Sequence, residues 1–156
     1  MDAPPSTRGD AALNFREIAR RHGLLLSASI VAGPTAAALF AGALPPPPED
    51  PWSWLLLLAI APLAEEFVFR GAMQPALHRH DWGRGSLLSG QLTTANVLTS
   101  VLFAVCHVPA AGLAVGLMTF APSLVFGWLR ERSGGIAIPI AMHAYYNACY
   151  LLLGKA

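Results

Sequence analysis

Long uncharged apolar runs, broken by short polar stretches, set the pattern of this chain. After a polar opening over 1–23, residues 24–44 run for 21 positions without a charge. A bilayer hydrocarbon core of ~30 Å needs about 20 helical residues, so this run can span. Pro45, Pro46, Pro47, Pro48 and Pro51 cannot continue a helix. A second span starts at Trp52 or Trp54, both suited to a membrane interface, and reaches about Leu77. A polar loop over 78–90 carries Arg79, Asp81 and Arg84. A third span covers about 92–108 and stops near Pro109. A fourth covers about 112–129 and ends at Arg130, Glu131 and Arg132. Gly134 and Gly135 make the turn into a fifth over 136–153. Strands are not expected, because open sheet edges cannot exist in lipid. No internal repeat is found. The pattern predicts an all-α, polytopic membrane bundle of about five helices over 24–156, behind a polar segment at 1–23 whose 13–21 portion reads as a short interfacial helix.

Composition supports this reading. Hydrophobic residues make up 54% and charged residues 12%, against about 25% charged in soluble domains. The chain therefore cannot cover a water-facing surface in the ordinary way. The net charge of +1 and the lack of a basic run exclude nucleic acid as an expected partner. Cys106 and Cys149 lie inside apolar runs, where cysteines serve as small packing residues. With the N-terminus placed in the cytoplasm, Arg8, Arg16, Arg20, Arg21, Arg79, Arg84, Arg130 and Arg132 fall inside, and only Lys155 falls outside. That asymmetry is what the positive-inside rule demands. Arg20–Arg21, the apolar run and Ala41-Gly42-Ala43 also have the look of a cleavable secretory signal. The long polar opening and the four further apolar runs favour a retained span.

Three spans carry side chains that a plain anchor avoids. Glu65, Glu66 and Arg70 lie in the second, His107 in the third, and His143 and Asn147 in the fifth. A charge at mid-bilayer costs about 2.5–3.5 kcal/mol on insertion scales, so such groups need a reason to be there. Glu65 follows Trp52 by 13 residues, or about 20 Å of helix, which puts it deep in the hydrocarbon layer. Glu66 and Arg70 are four apart and can pair on one face. Glu65 points about 100° away from them. His143 and Asn147 also share a face, and Phe103 sits one turn before His107, where its ring can pack beneath the imidazole. Pro62 is expected to open the helix just before the carboxylates.

These residues form three motifs in order: Glu65-Glu66-Phe67-Val68-Phe69-Arg70, Phe103-Ala104-Val105-Cys106-His107 and His143-Ala144-Tyr145-Tyr146-Asn147. In this the sequence resembles the CAAX protease and bacteriocin-processing family of intramembrane proteases, also called Abi proteins or type II CAAX endopeptidases. The likeness covers about 54–153 and includes the helix end and turn from Gly127 to Gly135; residues 1–50 show no likeness of their own. It implies hydrolysis of a peptide bond in a membrane-anchored protein or peptide within the bilayer, the C-terminal tails of sorted or membrane-anchored proteins included. By this carry-over Glu65 is the general base, His107 helps it hold and polarise a water, and His143 and Asn147 stabilise the oxyanion. Glu66 and Arg70 position the motif helix.

Other chemistries remain open at this point. Glu65, His107 and His143 are a donor set that zinc or another divalent metal accepts, although His-Glu-x-x-His is absent. A cofactor-free glutamate mechanism is the expected one. Cys106 adjoins His107, but residues one apart do not face each other on a helix. Ser123 has no base near it in sequence. A non-catalytic membrane scaffold or immunity protein, or a small proton-coupled transporter, could also retain a polar centre.

Overall fold

The computed structural model describes residues 15–154. The opening at 1–14, Arg8 included, and Lys155 lie outside the described residues, so the interfacial helix expected over 13–21 is seen from Phe15 onward. Helix α1 spans Phe15–Leu39 and leaves helical geometry at His22 (φ −129°, ψ 30°). The break separates its charged first turns, where Arg20 pairs with Glu17 at 2.7 Å, from its apolar remainder. The run at 24–44 is not helical throughout. The helix stops at Leu39, a tight turn forms at Ala41–Ala43, and Leu44 is extended. The reason is Pro45, since a residue before proline is pushed out of the α region.

Helix α2 spans Pro51–His78. Asp50 caps it by accepting a hydrogen bond from the Ser53 amide at 2.8 Å, and Pro51 fills the first position, where no amide hydrogen is needed. Two wide π-helical stretches interrupt α2, at Leu56–Ile60 and Phe67–Met73. They flank the short α-helical piece Ala61–Glu66 that carries both glutamates. In the following loop Ser86–Leu87 (β1) pairs antiparallel with Leu92–Thr93 (β2). This small ribbon departs from the expectation of no strands. It lies outside the apolar runs, where the lipid objection does not apply, and it delays the third helix to Thr94.

The helical stretch Thr94–Ser133 is continuous in name only, because Gly112 has φ 87° and ψ 167°. A Cβ on Gly116 would stand 2.6 Å from the Val108 side chain and 3.0 Å from the Ala104 carbonyl. On an unbroken helix those residues are about 12 and 18 Å away. The chain therefore doubles back at Gly112, as helices α3 (94–111) and α4 (113–133). Asn96 Nδ2 donates to the Leu124 carbonyl across this hairpin at 3.1 Å. Gly127 lets the backbones close, since any side chain there would strike the Asn96 amide oxygen. Gly134 ends α4 in the left-handed region (φ 67°), a position glycine tolerates. Helix α5 spans Ala137–Leu153.

Side-chain contacts fix the helix directions. Arg70 and Gln74 of α2 meet Ser123 and Gly127 of α4 in the same order, so α2 and α4 are parallel. His143 meets Glu66 while Asn147 meets Leu57, so α5 is antiparallel to α2. The segments alternate in direction, and α5 packs against both α1 and the α3–α4 hairpin. Three helical stretches, Phe15–Leu39, Pro51–His78 and the folded-back Thr94–Ser133, are long and apolar enough to cross a membrane. Polarity is inside out. Leu24, Leu63, Phe67, Leu117 and Leu152 are exposed, while Glu66, Arg70, Gln74, Asn96, Thr99, Ser100 and Ser123 are buried. A lipid-facing apolar surface around a polar interior is the arrangement of a helical membrane protein.

Three prolines act as links between helices. Proline has no amide hydrogen, so the carbonyl it would serve is left free, and in lipid that carbonyl must find another donor. Pro34 frees Ile30 on α1, and the Tyr145 hydroxyl donates to that carbonyl at 2.9 Å. In the π register of α2, the Ala61 amide bonds Leu56. The next donor would be Pro62 and the next acceptor Leu57, and Asn147 Nδ2 fills that place at 2.8 Å. The Gln74 amide likewise bonds Phe69. Pro75 then leaves the Arg70 carbonyl to Arg130 Nε, at 2.9 Å.

Candidate active site

Glu66 is the fixed centre of the motif helix. Its side chain is fully buried, and Arg70 spans it with Nη1 and Nε each 3.3 Å from a carboxylate oxygen. Arg70 also donates through Nη2 to the carbonyl and hydroxyl of Ser123, at 2.8 and 2.5 Å. The rings of Phe103, Phe126 and Phe69 stand 4.8, 5.6 and 5.9 Å from its guanidinium carbon. Cation–π contact of this kind gains strength away from water. The expected Glu66–Arg70 pairing along one helix is present, but Glu66 is not confined to its own helix. His143 Nδ1 lies 2.9 Å from Glu66 Oε1.

That bond aims His143. Its ring stacks on Phe126 with centroids 4.9 Å apart, and its Nε2 stands 3.8 Å from Glu65 Oε2. His107 is aimed in the same way. Its Nδ1 lies 2.8 Å from the Phe103 carbonyl one turn earlier, and its ring rests on the Phe103 ring at 4.4 Å. A carbonyl only accepts, so Nδ1 carries the proton and Nε2 of the neutral ring presents a lone pair. That Nε2 is 3.7 Å from the same Glu65 Oε2. Glu65 Oε2 is buried and has no hydrogen-bond donor from the protein. Two neighbouring glutamates thus have opposite surroundings: one is paired and sealed, the other faces two imidazoles with its side chain 30% exposed.

The exposure of Glu65 is toward a cavity of about 350 Å³. Its walls include Glu65, His107, His143 and Asn147, with apolar side chains from α1 to α4 and the rings of Tyr146 and Tyr150 from α5. The four candidate residues are therefore brought together, with Phe103 beneath them and Glu66 and Arg70 behind. The Asn147 amide is turned toward the Leu57 carbonyl. Cys106 is exposed on the outer face. Ser123 is fully buried, with its hydroxyl held by Arg70, so neither is placed as a nucleophile. Among the described residues, no group of three or more His, Cys, Asp or Glu is arranged to hold a metal ion.

Sequence reasoning missed the polar spine behind the site. Gln74 donates to the Gly127 carbonyl at 3.1 Å and to Glu131 at 2.8 Å. A spacing signal was available, since Glu66, Arg70 and Gln74 follow one another by four, as do Ser123, Gly127 and Glu131. It also missed the cavity wall given by Gly33, Ala36, Ala37 and Phe40 of α1. Those small and apolar residues carry no chemical signal in sequence.

Known proteins resemble this chain over part of its length. A protein of Escherichia coli described as an uncharacterized 24.3 kDa protein is 32% identical over 101 residues, which is 64% of this chain and 43% of that protein. The chain thus spans less than half the length of this relative. No solved structure gives a significant match. The model of the family described as type II CAAX prenyl endopeptidase Rce1-like matches residues 47–149. That stretch includes all three motifs and every side chain that meets Glu65 or Glu66, and on this ground the chain belongs to the Rce1-like type II CAAX endopeptidases, a family of membrane proteases.

Proposed function

We propose that the protein is an intramembrane endopeptidase that hydrolyses a peptide bond of a membrane-associated protein or peptide with a water activated by Glu65. One observation carries the reading: a single carboxylate oxygen lies 3.7 and 3.8 Å from two histidine Nε2 atoms at a cavity wall inside an apolar bundle. These separations are too long for direct hydrogen bonds and suit one water oxygen in reach of all three groups. The water gives one proton to Glu65 as its oxygen attacks the carbonyl carbon, while its other hydrogen stays on that oxygen and donates a hydrogen bond to His107 Nε2. The tetrahedral oxyanion takes hydrogen bonds from His143, whose Nε2 donates when protonated, and from Asn147, whose amide has a second hydrogen beyond the one given to the Leu57 carbonyl. Glu66 on Nδ1 orients that ring and compensates its charge, as a carboxylate does for a catalytic histidine. The C–N bond then breaks, and the proton on Glu65 passes to the leaving amine. The apolar walls suit a substrate whose scissile bond adjoins an apolar group, and tails of sorted or membrane-anchored proteins are the class we favour.

A zinc-dependent version has a specific point in its favour. Both Nδ1 atoms are held by oxygen acceptors, as in metal-ligating histidines, and Glu65, His107 and His143 would be the ligands. The reaction above needs only the protein's own groups. Cleavage of a membrane-embedded peptide by purified protein, and its loss in Glu65→Gln, tests the protease against a scaffold, which would keep its phenotype in that variant.

For orientation we propose a cytoplasmic N-terminus and 78–90 loop, and an external C-terminus, from the placement of arginines. Reporter fusions at Gly90 and Ala156 should read cytoplasmic and external respectively. A cytoplasmic reading at Ala156 rules out five crossings in this orientation.

A further inference from the structure

The cavity is confined to one end of the bundle. On α1 its walls are Gly33, Ala37 and Phe40, at the C-terminal end of that helix, and on α2 they are Leu57, Ala61 and Glu65, in the N-terminal half. Helix α3 gives Phe103, His107 and Ala111, and α4 gives positions from Val115 to Phe126. Because the helices alternate in direction, all of these lie toward the end that carries the 40–50 link and the Gly112 turn. Exposure follows the same axis. Phe103, Phe126 and His143 are buried at the inner end of the cavity, whereas Phe40, Pro45 and Ala111 are exposed at the outer one. The opposite end of the bundle is filled. There Ile18 and Leu26 of α1 pack with Trp128, Leu129 and Met142, and Gln74 bonds Glu131 behind them.

Charge marks the two ends differently. Apart from the buried Arg70, the described arginines sit at the filled end: at the start of α1, in the 78–90 loop and at the end of α4. At the open end the described residues carry Glu49 and Asp50 and no lysine or arginine. By the positive-inside rule the filled end is cytoplasmic and the mouth faces outward. We propose that the cavity is an inlet from the extracytoplasmic face, and that its substrate is an exported, membrane-anchored protein whose scissile bond lies in the outer half of the bilayer. The proposal rests on the protease reading of Glu65 and on the orientation given above. Leu57 and Ala61 line the wall eight and four residues before Glu65, which is about 12 and 6 Å along the helix. An extended chain advances about 3.3 Å per residue, so roughly four residues reach from the mouth to the base. They pass Phe40, Ala37, Leu57, Ala61 and Val115, so they are apolar themselves, since unpaired charge in this layer is costly. Such a protein comes from a secretion step that leaves its bulk outside and its apolar anchor in the membrane. Cleavage separates the two.

Access can be measured without a known substrate. In a Cys106→Ser, Cys149→Ala background one cysteine is returned to the cavity wall, as Thr119→Cys or, nearer the mouth, Val115→Cys. Trp82→Cys in the 78–90 loop is the reference for the other face. Each protein is treated with a small, charged, membrane-impermeant methanethiosulfonate reagent in right-side-out and in inverted membrane vesicles. The cavity cysteines should react at least about tenfold faster in right-side-out vesicles, because a charged reagent crosses hydrocarbon poorly, and Trp82→Cys should show the reverse. Where Thr119→Cys does not fold, Val115→Cys decides. Faster reaction in inverted vesicles, equal rates from both sides or no reaction from either side overturns the proposal. A second measurement follows the products. Proteins cut in wild-type cells and intact in Glu65→Gln cells should carry their cleavage junction on the external side of the anchor, and cytoplasmic junctions overturn the proposal. Labelling from outside with no protein cut in either strain leaves the inlet standing and removes the protease reading, so the two failures are told apart.

Discussion

Glu65 and Glu66 are adjacent, yet they belong to two different regions of the molecule. Behind Glu66 runs a buried polar spine between α2 and α4, in which Arg70 donates to Ser123 and Gln74 donates to Gly127 and Glu131. In front of Glu65 lies the cavity, where the carboxylate meets two imidazoles at distances that leave a bond unmade. The spine commits its donors to structure, and the cavity side keeps reactive atoms in hand. Buried charge is tolerated in a membrane when its partners are complete. On the proposed reading Glu65 is a base, and a base must stay incomplete until substrate and water arrive. One helix would then serve both needs, since a shift of one residue turns the side chain by about 100°, from sealed interior to open cavity.

The largest effect that can break this contrast is on turnover. Glu65→Gln keeps shape and hydrogen bonding but cannot take a proton from water. Cleavage should fall by at least 10²–10⁴-fold, the usual worth of a general base, while the melting temperature stays at the wild-type value. Next in size is Glu66→Gln, which strands Arg70 and removes the carboxylate that aims His143. Breaking a buried pair on one side costs about 3–5 kcal/mol, so expression and melting temperature should drop along with cleavage. Purified variants compared by melting and by cleavage rate check both. A Glu66→Gln protein that melts like wild type but is inactive, beside a Glu65→Gln protein that still cuts, would reverse the two assignments.

Much of the helical frame was legible because it depends on run length and on prolines and glycines. The turn at Gly134 and the division near Gly112 could both be read, since glycine is where a chain in lipid can reverse without strain. The exact ends were less legible. Leu92 and Thr93 look like the start of an apolar helix but pair as strand, because Leu88 and Ser89 take positive φ and turn the chain into a hairpin. The Glu66–Arg70 pair could be read from its four-residue spacing. The link from Glu66 to His143 could not, because 77 residues separate the partners and only the packing of α5 against α2 joins them. The two π stretches are also invisible to a 3.6-residue period. They depend on which carbonyls the prolines leave free and on which distant side chain is in reach.

The smallest expected effect is none at all, and it concerns metal. Zinc holds nitrogen and oxygen ligands at about 2.0–2.2 Å, which places ligand atoms roughly 3.3–3.5 Å apart at the tetrahedral angle. The separations from Glu65 Oε2 to the two Nε2 atoms are 3.7 and 3.8 Å, wider by roughly 0.2–0.5 Å. Two hydrogen bonds of about 2.8 Å to one water span such a gap with an angle of roughly 85° at its oxygen. Fixing the two imidazoles through the Phe103 carbonyl and Glu66 keeps this spacing from closing freely. Cleavage by the purified protein should therefore persist after strong chelation with EDTA or phenanthroline, at a rate near that of untreated enzyme. Complete loss on chelation, followed by recovery on adding zinc alone, would make Glu65, His107 and His143 ligands. The contrast between the two glutamates would then become one between a metal ligand and the carboxylate that orients its histidine neighbour.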